Sequence, residues 1–389
     1  MSSGSGSGNF LIICHVHFLI KLTFLIAALA FQISTASVGF AEQPCKSTVV
    51  GDLRIEHFES KMYGAQMTVR VWLPRGYSDT ANATRRYPTF YMFDGQTLFD
   101  ECTAFHGEHE LQVDETLTSL IGEHKIPPMI VVGIDSTQHR ESEYAPYKDT
   151  IAKPGAPEPI GKQLPSFLAD EVIPFVSTRF RVSDSPANTG IGGKSLGGAA
   201  ALYVALNRPD LFGLALAESP ALLLGNGQLL RDTTMLVRAP DRVAIGIGTS
   251  ELNFPNIEKF LAPFRLTRAE AEAGSVKMAG TLASNLRAAY FKRSEVMLVV
   301  EPNANHGPES WARRLPAAIT FLYGALSGEW GRPKNHDGRV KTPSVGKQSQ
   351  RPHPLQIENP KGAPPGCGRP AMFGRDTENP KGERRSDSF

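Results

Sequence analysis

Residues 189–206 read TGIGGKSLGGAAALYVAL, glycine-rich as far as Gly198 and then an unbroken run of good helix formers. A short apolar strand that turns abruptly into an alanine-rich helix is one of few foldings open to such a stretch. Within it lies Gly193-x-Ser195-x-Gly197. A serine on so tight a turn needs neighbours without a Cβ two positions before and after it, so that strand and helix backbones can pass. The turn lifts the hydroxyl above the sheet edge and aims a helix N-terminus at any negative charge that develops beside it. The competing pattern, a phosphate-binding G-x-x-x-x-G-K-[ST], requires glycine at position 188; the residue there is Asn188.

The elements around this turn alternate. Leu53–Phe58 and Gln66–Leu73 read as antiparallel edge strands, the second with Met67, Val69, Val71 and Leu73 alternating with Thr68, Arg70 and Trp72. Short apolar strands are expected at Pro88–Phe93, Met129–Ile134, Asn188–Gly193, Leu214–Ala217, Val243–Gly248 and Val296–Val300. Helices are expected over Glu110–Ile121, through Leu164–Val176 with Pro174 bending its last turn, along Met278–Tyr290, and from Trp311 to Leu322. Strand and helix in alternation predict a mostly parallel sheet covered on both faces, an α/β fold in one catalytic domain over 46–327.

Both ends differ from this body. Leu22–Phe31 is an apolar core of signal-peptide length behind Lys21, with small residues before Ala36 and Ala41. Residues 1–41 are read as a cleaved signal, with an uncleaved anchor over 10–33 as the alternative, so the expected location is periplasmic or secreted. The formal charge of +2 is uneven: residues 331–389 carry 12 Lys/Arg and 6 Asp/Glu, leaving the body acidic. Residues 328–389, rich in Pro and Gly and twice repeating Glu-Asn-Pro-Lys-Gly, read as a disordered basic tail. The body offers no basic footprint for nucleic acid. Cys45 and Cys102 are the one plausible disulfide in the body, with two free thiols as the other reading.

Acyl transfer from a serine needs a base, an acid to orient the base, and two donors for the oxyanion. Ser195, Glu251 and His306 occur in the chain order Ser–acid–His, each just past the end of an expected strand, and such ends converge on one rim of a parallel sheet. His57, His124 and His139 precede the serine, and the remaining histidines lie in the terminal segments or in HGEHE at 106–110, which misses both zinc-helix spacings. No metal is therefore expected. Glu218 also ends a strand and, with Asp232 and Asp241, competes with Glu251 for the acid. The backbone N–H of Leu196 is one oxyanion donor implied by the turn, and Gln96, after the strand ending at Phe93, is the expected second.

With these residues in place the chain resembles the putative-esterase branch of the α/β-hydrolases, which holds siderophore esterases, S-formylglutathione hydrolases, feruloyl and acetylxylan esterases and mycolyltransferases. The matching stretches include VRVWLPRGY (69–77), YMFDGQTLFD (91–100), GIDSTQHRESEYAPY (133–147), FLADEVIPFVSTRFRV (167–182), GGKSLGGAAALYVALNRPDLFG (192–213), GTSE (248–251) and NHGPESW (305–311). Siderophore-esterase-like members are nearest in character. The resemblance implies the α/β-hydrolase fold, Ser195 as nucleophile, His306 as base, Glu251 as acid, Leu196 and Gln96 as oxyanion donors, and a site shaped by the loop carrying Arg140 and Tyr144 as substrate contacts. It implies no cofactor and a small-molecule ester as partner, with no membrane contact unless the N-terminal segment is retained. Some siderophore esterases work with Ser and His alone, which leaves Glu251 open. Lys194 departs from the family, where histidine often precedes the serine; its side chain is expected to point away from the reacting atoms. Acyl transfer to an acceptor other than water, or a non-catalytic binding role, are the alternatives.

Overall fold

A computed structural model describes residues 45–105, 109–148, 157–262, 265–292 and 294–326. Eight strands form one sheet: β1 (Asp52–Ser60), β2 (Ala65–Leu73), β3 (Thr89–Phe93), β4 (Ile130–Ile134), β5 (Thr189–Lys194), β6 (Leu214–Glu218), β7 (Arg242–Ser250) and β8 (Glu295–Asn305). Their order is β1-β2-β4-β3-β5-β6-β7-β8. β1 and β2 pair antiparallel, β2 runs antiparallel to β4, and the remaining neighbours are all parallel. This is the α/β-hydrolase architecture expected from the alternating pattern.

Every residue of β3, β4, β5 and β6 is buried, as strands covered on both faces must be. Side chains of β3 divide between the two layers: Tyr91 and Phe93 join one core, Phe90 and Met92 the other. Helix α1 (Val113–Gly122) and the C-terminal helix cover one face; the helical segment through residues 164–177 and the helices after β5 and before β8 cover the other. The edge strand β1 is largely exposed, which fits its mixed composition.

Several boundaries differ from expectation, each for a local reason. α1 begins three residues late because the N–H groups of Leu111 and Val113 donate to Thr97 and Leu98 carbonyls at 2.9 and 3.0 Å, with Gln112 at φ 53° between them. The 136–161 loop contains a short helix, α2 (Arg140–Tyr144). Near Pro174 the backbone of Leu168–Val172 winds as a π-turn, which absorbs the missing proline donor without breaking the segment. Helix α3 (Leu196–Asn207) follows the Ser195 turn. Helix α4 (Arg268–Arg287) starts ten residues before Met278, at a capping box in which Thr267 and Glu270 exchange side-chain and backbone bonds; Tyr290 lies beyond its end. Helix α5 (Pro308–Tyr323) closes the described body.

Cys45 and Cys102 form a disulfide with Cα atoms 5.5 Å apart, resolving the choice left by the sequence. Among the described residues no helix is long and apolar enough to cross a membrane. The segments read as signal and basic tail lie outside the described residues.

Candidate active site

The Ser195 turn is built as the glycines demand. Ser195 has φ 55° and ψ −124°, a conformation held because its N–H donates to Glu218 O at 2.8 Å while its carbonyl accepts from Ala221 N–H at 3.1 Å. A Cβ on Gly193 would lie 2.4 Å from the Gly197 carbonyl oxygen, so no larger residue fits there without moving the helix. Strand β5 and helix α3 thus deliver a half-buried hydroxyl to the C-terminal rim of the sheet.

Two other strand ends bring polar side chains to that rim. His306 follows β8; its Nε2 is 2.8 Å from Ser195 Oγ. Its Nδ1 is 2.5 Å from Glu251 Oε2, and Glu251 follows β7. The imidazole is one-third exposed, whereas Glu251 is 4% exposed. The other Glu251 oxygen, Oε1, accepts from Ser219 Oγ at 2.7 Å and Gly248 N–H at 2.5 Å. Burial pushes the Glu251 carboxyl up, but His306, the Gly248 amide and the Ser219 hydroxyl outweigh it and hold the group below its ordinary value. Glu251 is therefore an anion aimed at an imidazole that faces a serine hydroxyl, the arrangement that passes a proton from oxygen to nitrogen.

Behind Glu251 lies a layer that the sequence reading did not identify. Ser219, itself at φ 42°, accepts from Trp311 Nε1 at 3.0 Å and from Arg314 at 3.3 Å while donating to Glu251. Arg314 Nε donates to Glu218 Oε2 at 2.8 Å, with both side chains about 3% exposed, and a second nitrogen reaches Glu301 at 2.9 Å. Gly246 makes room for Glu218: a Cβ there would sit 2.2 Å from its Oε2. One signal was available for Arg314. It stands on the apolar stripe Trp311, Leu315, Ile319, Leu322, where a buried cation calls for a partner.

The expected oxyanion donors sit at the ends of adjacent parallel strands. Leu196 is the first residue of α3 and Gln96 lies in the short 3-10 turn Gly95–Thr97 after β3, so the N–H of Leu196 has no intrahelical acceptor. Gln96 is anchored through its side chain, which donates to Ser136 Oγ at 2.6 Å and accepts from Ser136 N–H at 3.0 Å.

Arg140 and Tyr144, expected to touch substrate, both engage Asp94. Arg140 grips fully buried Asp94 with two bonds of 2.6 and 2.7 Å, and the Tyr144 hydroxyl accepts from Asp94 N–H at 3.2 Å. Tyr144 is 3% exposed and has almost no surface to offer a ligand. Both residues brace Asp94, the left-handed residue that opens the Gln96 turn. Lys194 is buried, its ammonium 5.3 Å from the Phe105 ring and 5.1 Å from Trp311. Trp311 also meets His306 edge-on at 5.1 Å, so Lys194 and the histidine share a ring contact.

Comparison with known proteins places this geometry in context. The profile of the family described as "Putative esterase" matches residues 60–319. The uncharacterized protein YbbA of Bacillus subtilis (strain 168) is 22% identical over 259 residues, 65% of this chain and 91% of its own length. The iron(III) enterobactin esterase of Escherichia coli (strain K12) is 31% identical over 153 residues, 39% of this chain and 32% of that protein. The crystal structure of the BES protein from Bacillus cereus superposes with a TM-score of 0.54 at 16% identity, over 72% of this chain and 97% of that one, a likeness of fold.

Proposed function

Since the chain belongs to the Putative esterase family and is a carboxylic ester hydrolase, we propose that it works through a Ser195–His306–Glu251 triad on a siderophore-type ester outside the cytoplasm. The observation that carries the triad is the continuous pair of contacts, 2.8 Å from Ser195 Oγ to His306 Nε2 and 2.5 Å from His306 Nδ1 to Glu251 Oε2.

Ser195 Oγ attacks the ester carbonyl carbon while its proton passes to His306 Nε2. Glu251 keeps the other ring proton on Nδ1 and stabilises the imidazolium that forms. Negative charge on the former carbonyl oxygen meets the N–H groups of Leu196 and Gln96. Collapse expels the alcohol, which takes the proton from Nε2, and leaves an acyl group on Ser195. Water, deprotonated by the same nitrogen, then attacks the acyl-enzyme; the acid departs and Ser195 regains its proton.

The substrate class is supported by the named enterobactin esterase relative and by the siderophore-esterase-like stretches around 91–100, 133–147 and 305–311. The Cys45–Cys102 disulfide supports an oxidising location. The decisive test is labelling with a serine-directed fluorophosphonate, run beside hydrolysis of a nitrophenyl ester, a catecholate trilactone and a feruloyl ester. Wild type is expected to label and Ser195→Ala not to. Labelling that survives in Ser195→Ala would falsify the nucleophile assignment, and preference for the feruloyl ester over the trilactone would overturn the substrate class.

A further inference from the structure

Away from the Ser195 rim, three carboxylates crowd one another where α1 begins. Glu110, Asp114 and Glu115 each offer a ligand oxygen, and these oxygens lie within 4.8 Å of one another. Glu110 is 4% exposed and Asp114 is fully buried. Each spends one oxygen on the N-terminal segment: Thr48 Oγ1 donates to Glu110 Oε1 at 2.5 Å, and Val50 N–H donates to Asp114 Oδ2 at 2.5 Å. Their second oxygens, Glu110 Oε2 and Asp114 Oδ1, are buried without a hydrogen-bond partner, as is Glu115 Oε2. Buried carboxylate oxygens without donors are expensive, and structures rarely keep three together unless something satisfies them.

The surroundings add negative charge, since Glu101 and Asp100 act on Glu110 as well. The N-terminal end of α1 favours anions, but such an end offsets only a fraction of one charge. His109 does not relieve the cluster, since its ring is bonded to Glu101.

We propose that Glu110, Asp114 and Glu115 bind a calcium ion. The donor set is entirely oxygen, which suits a hard cation and not zinc. Calcium accepts irregular oxygen cages completed by water, whereas magnesium demands a near-octahedral shell. A cavity of about 420 Å³ lined by Glu101, His109, Gln112, Glu309 and Arg313 borders Glu110. The expectation of no metal rested on the histidines of HGEHE; the proposed site uses the last residue of that stretch instead.

The bound ion would complete a clasp. Residues 45–50 are already held to Asp100 and Cys102 by the Cys45–Cys102 disulfide and by Ser47 and Thr48 bonded to Asp100. Leu111, next to Glu110, reaches the Gln96 turn through its N–H on Thr97 O. Ordering the cluster therefore stiffens the backbone behind one wall of the ester site.

The test is thermal unfolding of the full chain after EGTA treatment, with millimolar CaCl2 or with MgCl2 at matched ionic strength, alongside calorimetric titration with CaCl2. Saturating calcium is expected to raise Tm by about 5–10 °C, with one ion bound per chain. The rise should vanish in Asp114→Asn and in Glu115→Gln; Glu115 is only partly buried, so its variant keeps the test sound if Asp114→Asn folds poorly. An unchanged Tm overturns the site, as does a calcium response that persists in Glu115→Gln. An equal response to magnesium overturns the assignment to calcium. If shared protons satisfy the cluster instead, acidification alone will raise Tm and calcium will do nothing.

Discussion

Glu218 and Glu251 stand at the ends of neighbouring strands, both at least 96% buried, and both joined to Ser219 within two bonds. Their surroundings set them to opposite tasks. Glu218 faces Arg314, a permanent cation equally buried, and burial still carries it up to about 7 against the pull of that arginine. Glu251 faces His306, a ring that can gain and lose a proton beside solvent, and three donors hold it below the ordinary carboxylate range. A buried carboxylate becomes useful for proton transfer when its charge is fixed by donors and its partner is titratable. Paired with an arginine, the same group becomes part of the scaffold.

The hardest way to strain this distinction is to exchange each acid for its amide. Glu251→Gln should lower kcat by about 10³–10⁴-fold, because an amide no longer selects the Nδ1–H tautomer of His306. Glu218→Gln should leave kcat within a few-fold. Steady-state kinetics on a nitrophenyl ester reads both, and a reversed ranking would transfer the role of acid to Glu218. A loss of only a few-fold in both variants would mean that Ser195 and His306 suffice.

Next in size is the scaffold half. Arg314→Leu leaves Glu218 buried without its cation and should cost about 3–5 kcal/mol of stability, a fall in Tm on the order of 10 °C. Thermal unfolding checks it, and Glu218→Gln added to Arg314→Leu should recover part of the loss. Were Arg314→Leu to keep its Tm and lose activity as Glu251→Gln does, the two carboxylates would no longer be separable.

Why one acid could be picked from the sequence and its supporting layer could not follows from the range of the forces. The Ser195 turn is local where it begins: Gly193 is demanded by Gly197 and Gly198, four and five residues on, so pattern and geometry are nearly the same statement there, whereas Gly197 makes room for distant Asp94. Apolar runs such as FYMF and IVVGI declare strands covered on both faces because neither face alternates to charged residues. Parallel strand ends then gather Ser195, Glu251 and His306 by topology alone. The Arg314–Ser219–Glu251 chain depends instead on side chains 32 to 95 residues apart meeting at one point, which no periodicity encodes. Arg140 and Tyr144 were visible as special, but their partner Asp94 lies 46 and 50 residues away, so their bracing of it could not be read from the sequence. The start of α4 was legible and overlooked, since Thr267-x-x-Glu270 is a capping box in plain view.

Ser219 lies where the two carboxylates meet, and removing its hydroxyl probes the junction at lower amplitude. Ser219→Ala takes one donor from Glu251 and leaves Trp311 Nε1 without its acceptor. A hydrogen bond to a charged group contributes about 1.5–3 kcal/mol, so kcat is expected to fall about tenfold with a smaller change in KM. A positioning role also predicts that the acid limb of the kcat profile moves, because Glu251 would hold its charge less firmly. Ser219→Thr should restore that limb. A Tm loss with an unmoved profile would reduce Ser219 to packing.

The smallest effect separates the acids by pH. For Glu218 the folded value of about 7 lies above the ordinary 4.5, so its contribution to stability is complete below about 4.5 and is lost as pH rises through about 7. For Glu251 the folded value lies below 4.5, so its contribution is present above that pH and disappears as pH falls beneath it. Arg314, Glu251 and Glu301 are the charges acting on Glu218. Tm should decline between pH 5.5 and 8 by a few degrees more in wild type than in Glu218→Gln, since the two proteins share every other titrating group. Equal slopes in the two proteins would mean that Arg314 keeps Glu218 ionised throughout, and the two carboxylates would then differ in partner alone and not in proton affinity.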